Sequence, residues 1–279
     1  MTIGDALRRA TDLARQGGSE ATAWDARILL AHALGHANPL ALPPDAPLSE
    51  ALTVRFEEMW TRRLSGVPVQ HLVGEWDFFG RPFRVDSRGL IPRPETEVLV
   101  LQSIGAAPGA RRILDLGTGS GIVAITLLKE LPSARALAVD ASVQALALAR
   151  HNASRLGVLS RLWLAGSDWL TAIEAPPFDL VVSNPPYLAR SEARGLSRTV
   201  AEHDPELALY GGDDGLESIR QLLDAVPRVL PPGAPYLFEI GFGQARDIEQ
   251  EVRNRPAWRF DGIAEDMAGI PRVVRLVRK

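Results

Sequence analysis

An asparagine, two prolines and a tyrosine follow a strand-like apolar segment in DLVVSNPPYLA, residues 179–189. Pro185 and Pro186 each fix φ at about −65° and remove a backbone donor, and the residue before each proline is driven away from helix. The result is a rigid loop that presents acceptors from Asn184 and the main chain, with Tyr187 beside them. An ordinary turn has glycine or asparagine at one or two positions. Because two adjacent prolines are unusual in a simple connection, the loop is predicted to bind a ligand. The structural alternative is a braced loop exit with a capping asparagine and a packed tyrosine.

A glycine-rich turn, DLGTGSG at residues 115–121, follows another apolar segment. Gly117, Gly119 and Gly121 allow a tight turn and a close ligand approach, because no β-carbon stands in the way. A dinucleotide fingerprint would place its third glycine at position 122, which is Ile, and the lysine of a triphosphate-binding loop is missing. The turn is therefore predicted to bind a different ligand, unless it is purely structural.

Asp140 ends a third apolar segment, RALAVD at residues 135–140. A carboxylate at this point can accept hydrogen bonds from both hydroxyl groups of an adenosine ribose. Asp is also a favoured helix N-cap, and the two roles are compatible. A glycine turn and an acid at the ends of adjacent strands together predict a site for a nucleoside-containing cofactor.

The elements that position these residues alternate between apolar strands and amphipathic helices from residue 111 onward. This alternation predicts an α/β fold with a mostly parallel sheet and helices on both faces. Ligands of such sheets bind at the carboxyl ends of the strands, so we expect the residues after 116, 139, 166 and 183 to converge on one crevice. The predicted strands are 111–117, 135–140, 160–166, 178–184, 234–241 and 271–279, and the predicted helices are 121–131, 142–156, 215–229 and 244–254.

The first 70 residues carry apolar side chains at helical spacing, which predicts a small helical bundle. We expect most of these side chains to form its core. They are Ile3, Leu7, Ala10, Ala14, Trp24, Ile28, Ala31, Leu52, Phe56 and Met59.

Aromatic runs at 76–79 and 83–85 flank Gly80 and Arg81, which is the pattern of a short β-hairpin. We expect this hairpin to link two domains. The predicted organisation is a bundle at 1–70, a hairpin linker at 71–92 and an α/β domain at 93–279.

Composition limits the kinds of partner and site. The chain has 31 basic and 34 acidic residues, a net charge of −3, which disfavours broad attraction to nucleic acid. It has no cysteine, which excludes a disulfide framework and a thiolate site and fits the cytoplasm. Neither an apolar signal sequence nor a run of about 18 apolar residues is present, so we expect a soluble protein that is not bound to a membrane. His71, His151 and His203 lack metal-ligand spacing, so we expect no metal.

The combination of DLGTGSG, VD at 139–140 and NPPY at 184–187 resembles the class I S-adenosylmethionine-dependent methyltransferases, specifically those that methylate a planar conjugated nitrogen. The resemblance implies a Rossmann-like domain with a seven-stranded, mostly parallel sheet and S-adenosylmethionine as cofactor. It implies that the glycine turn meets the amino-acid end of the cofactor, that Asp140 binds the ribose and that NPPY holds the acceptor. The implied cofactor-binding residues are Gly117, Thr118, Gly119, Ser120, Gly121, Asp140, Trp169 and Asn184.

The NPPY loop suits this reaction because an amide nitrogen with a delocalised lone pair is a poor nucleophile. We expect the side-chain oxygen of Asn184 and the carbonyl oxygen of Pro185 to accept the two amide hydrogens, within a loop that Pro186 braces. We expect Tyr187 to stack on the planar group. Positioning and preorganised acceptors then carry the catalysis without a metal or a covalent intermediate.

Resemblance to the bacterial release-factor glutamine methyltransferases extends over nearly the whole chain. It implies methylation of the glutamine in the Gly-Gly-Gln motif of class I peptide chain release factors and places Trp169 against the cofactor. The family's EPRLAL is DPELAL here, so the roles of Asp204 and Glu206 stay open. The stretches that carry the resemblance, besides the helical N-terminal region and NPPY, are GLIPRPETE at 89–97, GSDW at 166–169, DPELALYGGDDGL at 204–216, FEIGFGQ at 238–244 and IPRVVRLVR at 270–278.

Three functions stay open on the residues alone. A protein-glutamine methyltransferase would use the bundle as a second surface to dock a release factor, and we expect it to act as a monomer without direct contact to nucleic acid. An N6-adenine methyltransferase would share NPPY but is opposed by the net charge. A nucleotide-dependent oxidoreductase or a silent nucleotide-binding module would leave NPPY without purpose. Arg93 is expected to clamp a partner carboxylate or brace the domains, and Glu95 and Glu97 are either solvated first-turn carboxylates or direct participants.

Overall fold

The computed structural model describes residues 1–174, 177–195 and 197–279. The described chain forms two compact units. One consists of Met1–Glu75 together with a short later helix, Arg198–His203. The other consists of Trp76–Gly195 and Asp204–Lys279, and it includes the aromatic hairpin.

The elements are numbered in chain order. The helices are α1 (Ile3–Gln16), α2 (Ala23–Leu34), α3 (Glu50–Leu64), α4 (Val69–Val73), α5 (Thr96–Ala106), α6 (Ile122–Glu130), α7 (Val143–Arg155), α8 (Arg198–His203), α9 (Glu206–Leu209), α10 (Glu217–Ala225) and α11 (Ala245–Arg253). The strands are β1 (Glu75–Phe78), β2 (Arg81–Arg84), β3 (Arg112–Leu116), β4 (Arg135–Asp140), β5 (Leu162–Gly166), β6 (Leu180–Ser183), β7 (Pro235–Glu239), β8 (Trp258–Glu265) and β9 (Pro271–Arg278).

The first unit is a helical bundle, as its apolar spacing predicts. Helices α1 and α2 each begin with a capping box, in which a threonine and an aspartate three positions later exchange hydrogen bonds with the backbone of the first turn. Phe56 and Trp60 of α3 are buried and stack with their ring centroids 6.3 Å apart. The expectation for Trp24 is wrong, because its side chain is 46% exposed. The α2 face that is buried instead carries Leu29, Leu30 and several alanines, whose small volumes bring the helices together.

A buried ion pair and the returning helix complete this unit. The guanidinium of Arg63 on α3 donates to the Asp25 carboxylate on α2 at 3.0 Å, and both side chains are largely buried. The carboxylate of Glu20 accepts hydrogen bonds from the Arg198 amide and the Thr199 hydroxyl of α8, each at 3.0 Å. Helix α8 is therefore tied to this unit although it lies between segments of the other one in sequence.

The second unit contains a sheet that has seven strands in the described part of the chain, in the order β5-β4-β3-β6-β7-β9-β8. The pairs from β5 through β7 are parallel, while β9 runs antiparallel to both of its neighbours. The predicted mostly parallel seven-stranded sheet is confirmed. Strand β8 is not among the strands predicted from the sequence. It is an edge strand with several exposed residues and a bulge between Phe260 and Gly262, so its apolar pattern is interrupted.

Helices cover both faces of the sheet. Successive residues of β3 point to opposite faces, so Ile113 packs in one buried cluster with α5 and α6 and Leu114 packs in a second cluster with α10 and α11. This double burial explains why the parallel strands are apolar along their whole length. The carboxyl ends of β3, β4, β5 and β6 are consequently left together at one edge of the sheet.

The hairpin of β1 and β2 is closed by Phe79 and Gly80, whose φ values of 52° and 68° are those of a type I′ turn. Phe79 is an unusual residue for positive φ. Its backbone N–H donates to the Glu97 carboxylate of α5 at 2.7 Å, which fixes the turn. Glu97 therefore anchors the hairpin, whereas the sequence left it as either a solvated or a participating carboxylate.

Candidate active site

A cavity of about 420 Å³ opens at the carboxyl ends of the parallel strands. Leu116 is level with Val139 and Ser183 in the strand register, and Asp140, the next residue after Val139, is level with Gly166. The residues that follow positions 116, 139, 166 and 183 consequently converge, as expected. The lining includes Gly117, Thr118, Gly119, Ser120, Asp140, Trp169, Asn184 and Pro186 of the predicted site residues.

Two carboxylates, those of Asp115 and Asp140, accept hydrogen bonds from the glycine turn. Gly117 and Gly119 adopt φ values of 73° and 57°, which favour glycine. The N–H of Gly119 donates to Asp140 Oδ2 at 2.8 Å. Beneath the turn, Asp115 Oδ2 accepts from the Thr118 hydroxyl at 2.6 Å and from the Ala124 N–H at 3.2 Å. Burial raises the pKa of Asp115 to about 6, against the opposing effect of these hydrogen bonds.

Asp140 does not cap the helix that follows it. The N-cap of α7 is Ser142, whose side chain accepts from the Ala145 N–H, while Asp140 Oδ1 accepts from the Ser142 N–H at 2.8 Å. The N-cap role considered for Asp140 is therefore wrong. Its carboxylate instead ties the glycine turn to the start of α7 and lies on the cavity wall.

Gly121 and Trp169 occupy different places relative to the cavity. Gly121 begins α6 with φ of 84°, and a β-carbon there would lie 2.8 Å from Ile125 and 3.1 Å from Ala149. It allows α6 and α7 to pack closely, and it is outside the cavity lining. Trp169 has φ of 47° and lines the cavity, with its ring 3.2 Å from the position that a β-carbon of Gly117 would take.

The NPPY loop is divided between the cavity and the interior. Asn184 and Pro186 line the cavity, whereas Pro185 is buried and Tyr187 packs behind the lining. The backbone carbonyl of Tyr187 accepts from Gln244 Nε2 at 2.9 Å, and a β-carbon on Gly241 would lie 2.9 Å from the tyrosine ring. Burial, assisted by the nearby Glu239, raises the pKa of Tyr187 to about 12.

Two residues without an assigned role in the sequence analysis contact the Asn184 amide. Asn184 Nδ2 donates to Glu239 Oε2 at 3.0 Å and to the Thr96 hydroxyl at 3.2 Å. Glu239 ends β7 and Thr96 begins α5, and each is 1% exposed. Both belong to stretches that carry the family resemblance, FEIGFGQ and GLIPRPETE, and that resemblance was the only signal for them. Burial raises the pKa of Glu239 to about 7.

Arg93 and the segment after α8 form one further part of the site. Arg93 donates to the buried carboxylate of Asp204 at 3.3 Å. This contact holds the start of Pro205–Tyr210, from which Pro205, Glu206, Leu207 and Ala208 contribute to the cavity lining. Arg93 thus binds a carboxylate of its own unit. That carboxylate belongs to Asp204, which stands where the family's EPRLAL has glutamate.

The residues present fit a nucleoside-containing cofactor. The space in front of Gly119 is open, since a β-carbon there would have no neighbour within 4 Å. An aromatic ring, a carboxylate and backbone N–H groups surround a cavity of the size that such ligands occupy. Across residues 1–174, 177–195 and 197–279, no three histidine, aspartate or glutamate side chains are grouped to hold a metal ion. No helix in those ranges has the length and apolarity needed to cross a membrane.

Comparison with known proteins identifies the family. The description "PrmC N-terminal domain" matches residues 5–74 and "Methyltransferase small domain" matches residues 95–206. The chain is 45% identical to the release factor glutamine methyltransferase of Cereibacter sphaeroides over 98% of both chains. It belongs to the release factor glutamine methyltransferase family.

Other relatives agree with this membership. The release factor glutamine methyltransferase of Nitratidesulfovibrio vulgaris is 38% identical, over 98% of this chain and 94% of that protein. Among solved structures, a methyltransferase from Pyrococcus furiosus superimposes with a TM-score of 0.55 at 17% identity, covering 79% of this chain and 98% of that one. The latter likeness confirms the methyltransferase fold that the glycine turn and NPPY imply.

Proposed function

We propose that this member of the family transfers a methyl group from S-adenosylmethionine to the side-chain amide nitrogen of the glutamine in the Gly-Gly-Gln motif of class I peptide chain release factors. The observation that carries the proposal is the placement of Asn184. It stands on the cavity wall with its amide nitrogen hydrogen-bonded inward, and it shares the cavity with the glycine turn and Asp140.

The cofactor would be held by the glycine turn, by Asp140 and by Trp169. S-adenosylmethionine supplies an electrophilic methyl group on a sulfonium sulfur. The backbone of Gly117–Gly119 gives close approach without β-carbons, the Asp140 carboxylate provides acceptors for ribose hydroxyls, and the Trp169 ring provides an apolar wall. Asp115 and the N–H of Ala124 support the turn from below.

The acceptor amide would be activated by hydrogen bonding alone. With its nitrogen held by Glu239 and Thr96, Asn184 turns its oxygen to the other side, where it accepts one hydrogen of the substrate amide. The Pro185 carbonyl is proposed to accept the second hydrogen. Tyr187 packs behind the cavity lining, so its proposed role is to support the loop rather than to stack on the substrate amide. Two fixed acceptors draw the nitrogen lone pair out of conjugation and aim it, which is the preorganisation that favours transfer.

The substrate is proposed to be a whole release factor rather than nucleic acid. The relatives that match over nearly the full chain are named for release factors, and the helical unit at residues 5–74 matches the N-terminal domain characteristic of the family. We propose that this unit docks the release factor, in the cytoplasm and with a monomeric enzyme.

Labelled S-adenosylmethionine tests the proposal. The chain is incubated with a purified class I release factor, with the same factor carrying alanine in place of the motif glutamine, and with duplex DNA. We expect label in the first factor only, and peptide mass analysis should place one methyl group on the glutamine. Label in the alanine variant or in DNA would contradict the proposal.

A further inference from the structure

The side-chain amide of Asn184 donates to a set of two buried residues, Glu239 and Thr96. Strands β6 and β7 are parallel neighbours with Ser183 level with Phe238. Asn184, just after β6, and Glu239, the last residue of β7, therefore lie side by side. Thr96 approaches from the first position of α5, and its hydroxyl accepts a hydrogen bond from Asn184 Nδ2 at 3.2 Å. The side-chain nitrogen of Asn184 therefore has two partners, the Glu239 carboxylate and the Thr96 hydroxyl.

The donors and acceptors in this set allow one orientation of the amide. An ionised carboxylate accepts hydrogen bonds only, so the group of Asn184 that faces Glu239 is its nitrogen. The Thr96 hydroxyl accepts from the same nitrogen at 3.2 Å. Both amide hydrogens are consequently bound by Glu239 and Thr96, which leaves the side-chain oxygen of Asn184, a residue of the cavity lining, outside these contacts.

We propose that Glu239 and Thr96 are positioning residues that fix the side-chain amide of Asn184 with its oxygen toward the acceptor substrate. The assignment rests on the proposed function for its kinetic consequences, and on the hydrogen-bond geometry for the orientation itself. Neither residue touches the substrate. Each acts through Asn184.

The charge on Glu239 decides whether the orientation is unique. When the carboxylate is protonated it gains an O–H donor, which can pair with the amide oxygen and permit the flipped orientation. The charged and titratable groups facing Glu239 are Arg272 on β9, Glu95 before α5 and Tyr187 in the loop. Burial outweighs the attraction of Arg272 and places the pKa of Glu239 at about 7. The wild-type turnover number should therefore rise with pH through this value.

Glu239→Gln and Thr96→Val test the assignment by kinetics. Both should lower kcat by about tenfold or more, since one of two preorganised acceptors is no longer fixed. The affinity for S-adenosylmethionine, measured by calorimetry, should not change. Thr96→Ser keeps the hydroxyl and should restore kcat, and Glu239→Gln should lose the rise of kcat near pH 7. A role in folding alone would not produce the serine rescue or the change in pH profile.

Thr126→Val is the matched control. Thr126 on α6 is fully buried, and its hydroxyl has no hydrogen-bond partner among the described residues. The same loss of a buried hydroxyl should leave kcat at the wild-type value. Thermal melting of each variant identifies any that fail to fold, and the Thr96 pair provides the test if Glu239→Gln is one of them.

A nitrogen-15 NMR spectrum of the side-chain amide decides the orientation without any turnover. The Asn184 signal is identified by its absence from the spectrum of Asn184→Asp. In the wild type its two hydrogens should exchange slowly, and its chemical shift should change near pH 7 as Glu239 ionises. Thr96→Val and Glu239→Gln should speed exchange at least about tenfold, the loss expected with one hydrogen bond. Wild-type exchange and wild-type kcat in both variants would overturn the assignment. If the wild type leaves every release factor unmethylated, the proposed function fails, and the amide signal still decides the positioning.

Discussion

The side chain of Asn184 carries the largest share of the proposed catalysis, and its removal provides a direct prediction. Asn184→Ala deletes the acceptor while leaving the glycine turn and Asp140 in place. We expect kcat to fall by ~10²–10³-fold, the loss seen when one preorganised hydrogen-bonding group is removed. Single-turnover methylation of a release factor measures this loss, and calorimetry should show that cofactor binding persists. An active Asn184→Ala enzyme would refute the assigned role.

Asp115 makes the stability of the protein depend on pH. Its pKa is raised from 3.8 to about 6 in the folded state, because burial penalises the ionised form. Between these values the folded state binds more protons than the unfolded state, so the contribution of Asp115 to stability is full below pH 3.8 and is lost as pH rises through about 6. Asp115→Asn removes this titration. Relative to the wild type, the variant should gain about 1 kcal/mol between pH 5 and pH 7.5.

Thermal melting at those two pH values, without cofactor, measures the effect. The relevant quantity is the change in the difference between the two proteins, which cancels any constant cost of the substitution. A constant difference between Asp115→Asn and the wild type would show that the carboxyl does not titrate in this range.

Among the connecting loops, the turn at residues 211–215 supports the NPPY loop from behind. A β-carbon on Gly215 would lie 2.3 Å from the carbonyl oxygen of Tyr187 and 3.0 Å from Gln244 Nε2. Gly215→Ala should therefore push the loop away from the cavity and lower kcat by up to about 10²-fold, since small misplacements of reacting groups are costly. Kinetics with saturating release factor measure the loss.

Gly233→Ala separates displacement from backbone strain. Gly215 and Gly233 have φ values of 76° and 85°, so alanine costs each position about 1–2 kcal/mol of strain. The β-carbon at Gly233 would have no neighbour within 4 Å. The control should lose stability but keep the wild-type kcat. Equal kcat values in the two variants would mean that the contact with Tyr187 does not position the loop.

The regular elements were predictable where the hydrophobic period was strong. Helices α6, α7 and α11 each begin and end one residue inside the predicted range, and the strands that precede the site were all identified. Buried parallel strands produce long apolar segments that a sequence displays directly. Strand β8 does not, because exposed and bulged positions interrupt its pattern.

The candidate site was predictable only where its residues lie next to each other in sequence. The glycine turn, Asp140 and NPPY are local motifs, and the structure brings them to one cavity. Thr96 and Glu239 lie 88 and 55 positions from Asn184, so only the packing of α5 and β7 reveals their contact with it. Hydrogen bonds between distant residues leave no periodic signal, and a stretch that resembles a family does not by itself show which of its residues points inward.

For the chain as a whole, the division into two units predicts that recognition and chemistry can be impaired separately. The helical unit contains the buried pair Arg63 and Asp25, whereas the cavity is lined by residues of the other unit. Removing one partner of a buried ion pair leaves the other charge uncompensated, which typically lowers the free energy of unfolding by roughly 3–5 kcal/mol. Arg63→Met should therefore loosen the helical unit and leave the sheet intact.

Hydrogen exchange and kinetics on the full chain test this separation. In Arg63→Met, exchange should accelerate in Met1–Glu75 and stay unchanged in β3 through β7, and the affinity for S-adenosylmethionine should equal that of the wild type. If the helical unit docks the release factor, KM for that substrate should rise more than kcat falls. Arg9→Met is the control, because the Arg9–Glu57 pair is exposed at both ends and contributes roughly 0–1 kcal/mol. An unchanged KM in an Arg63→Met protein whose helical unit exchanges rapidly would show that this unit does not dock the substrate.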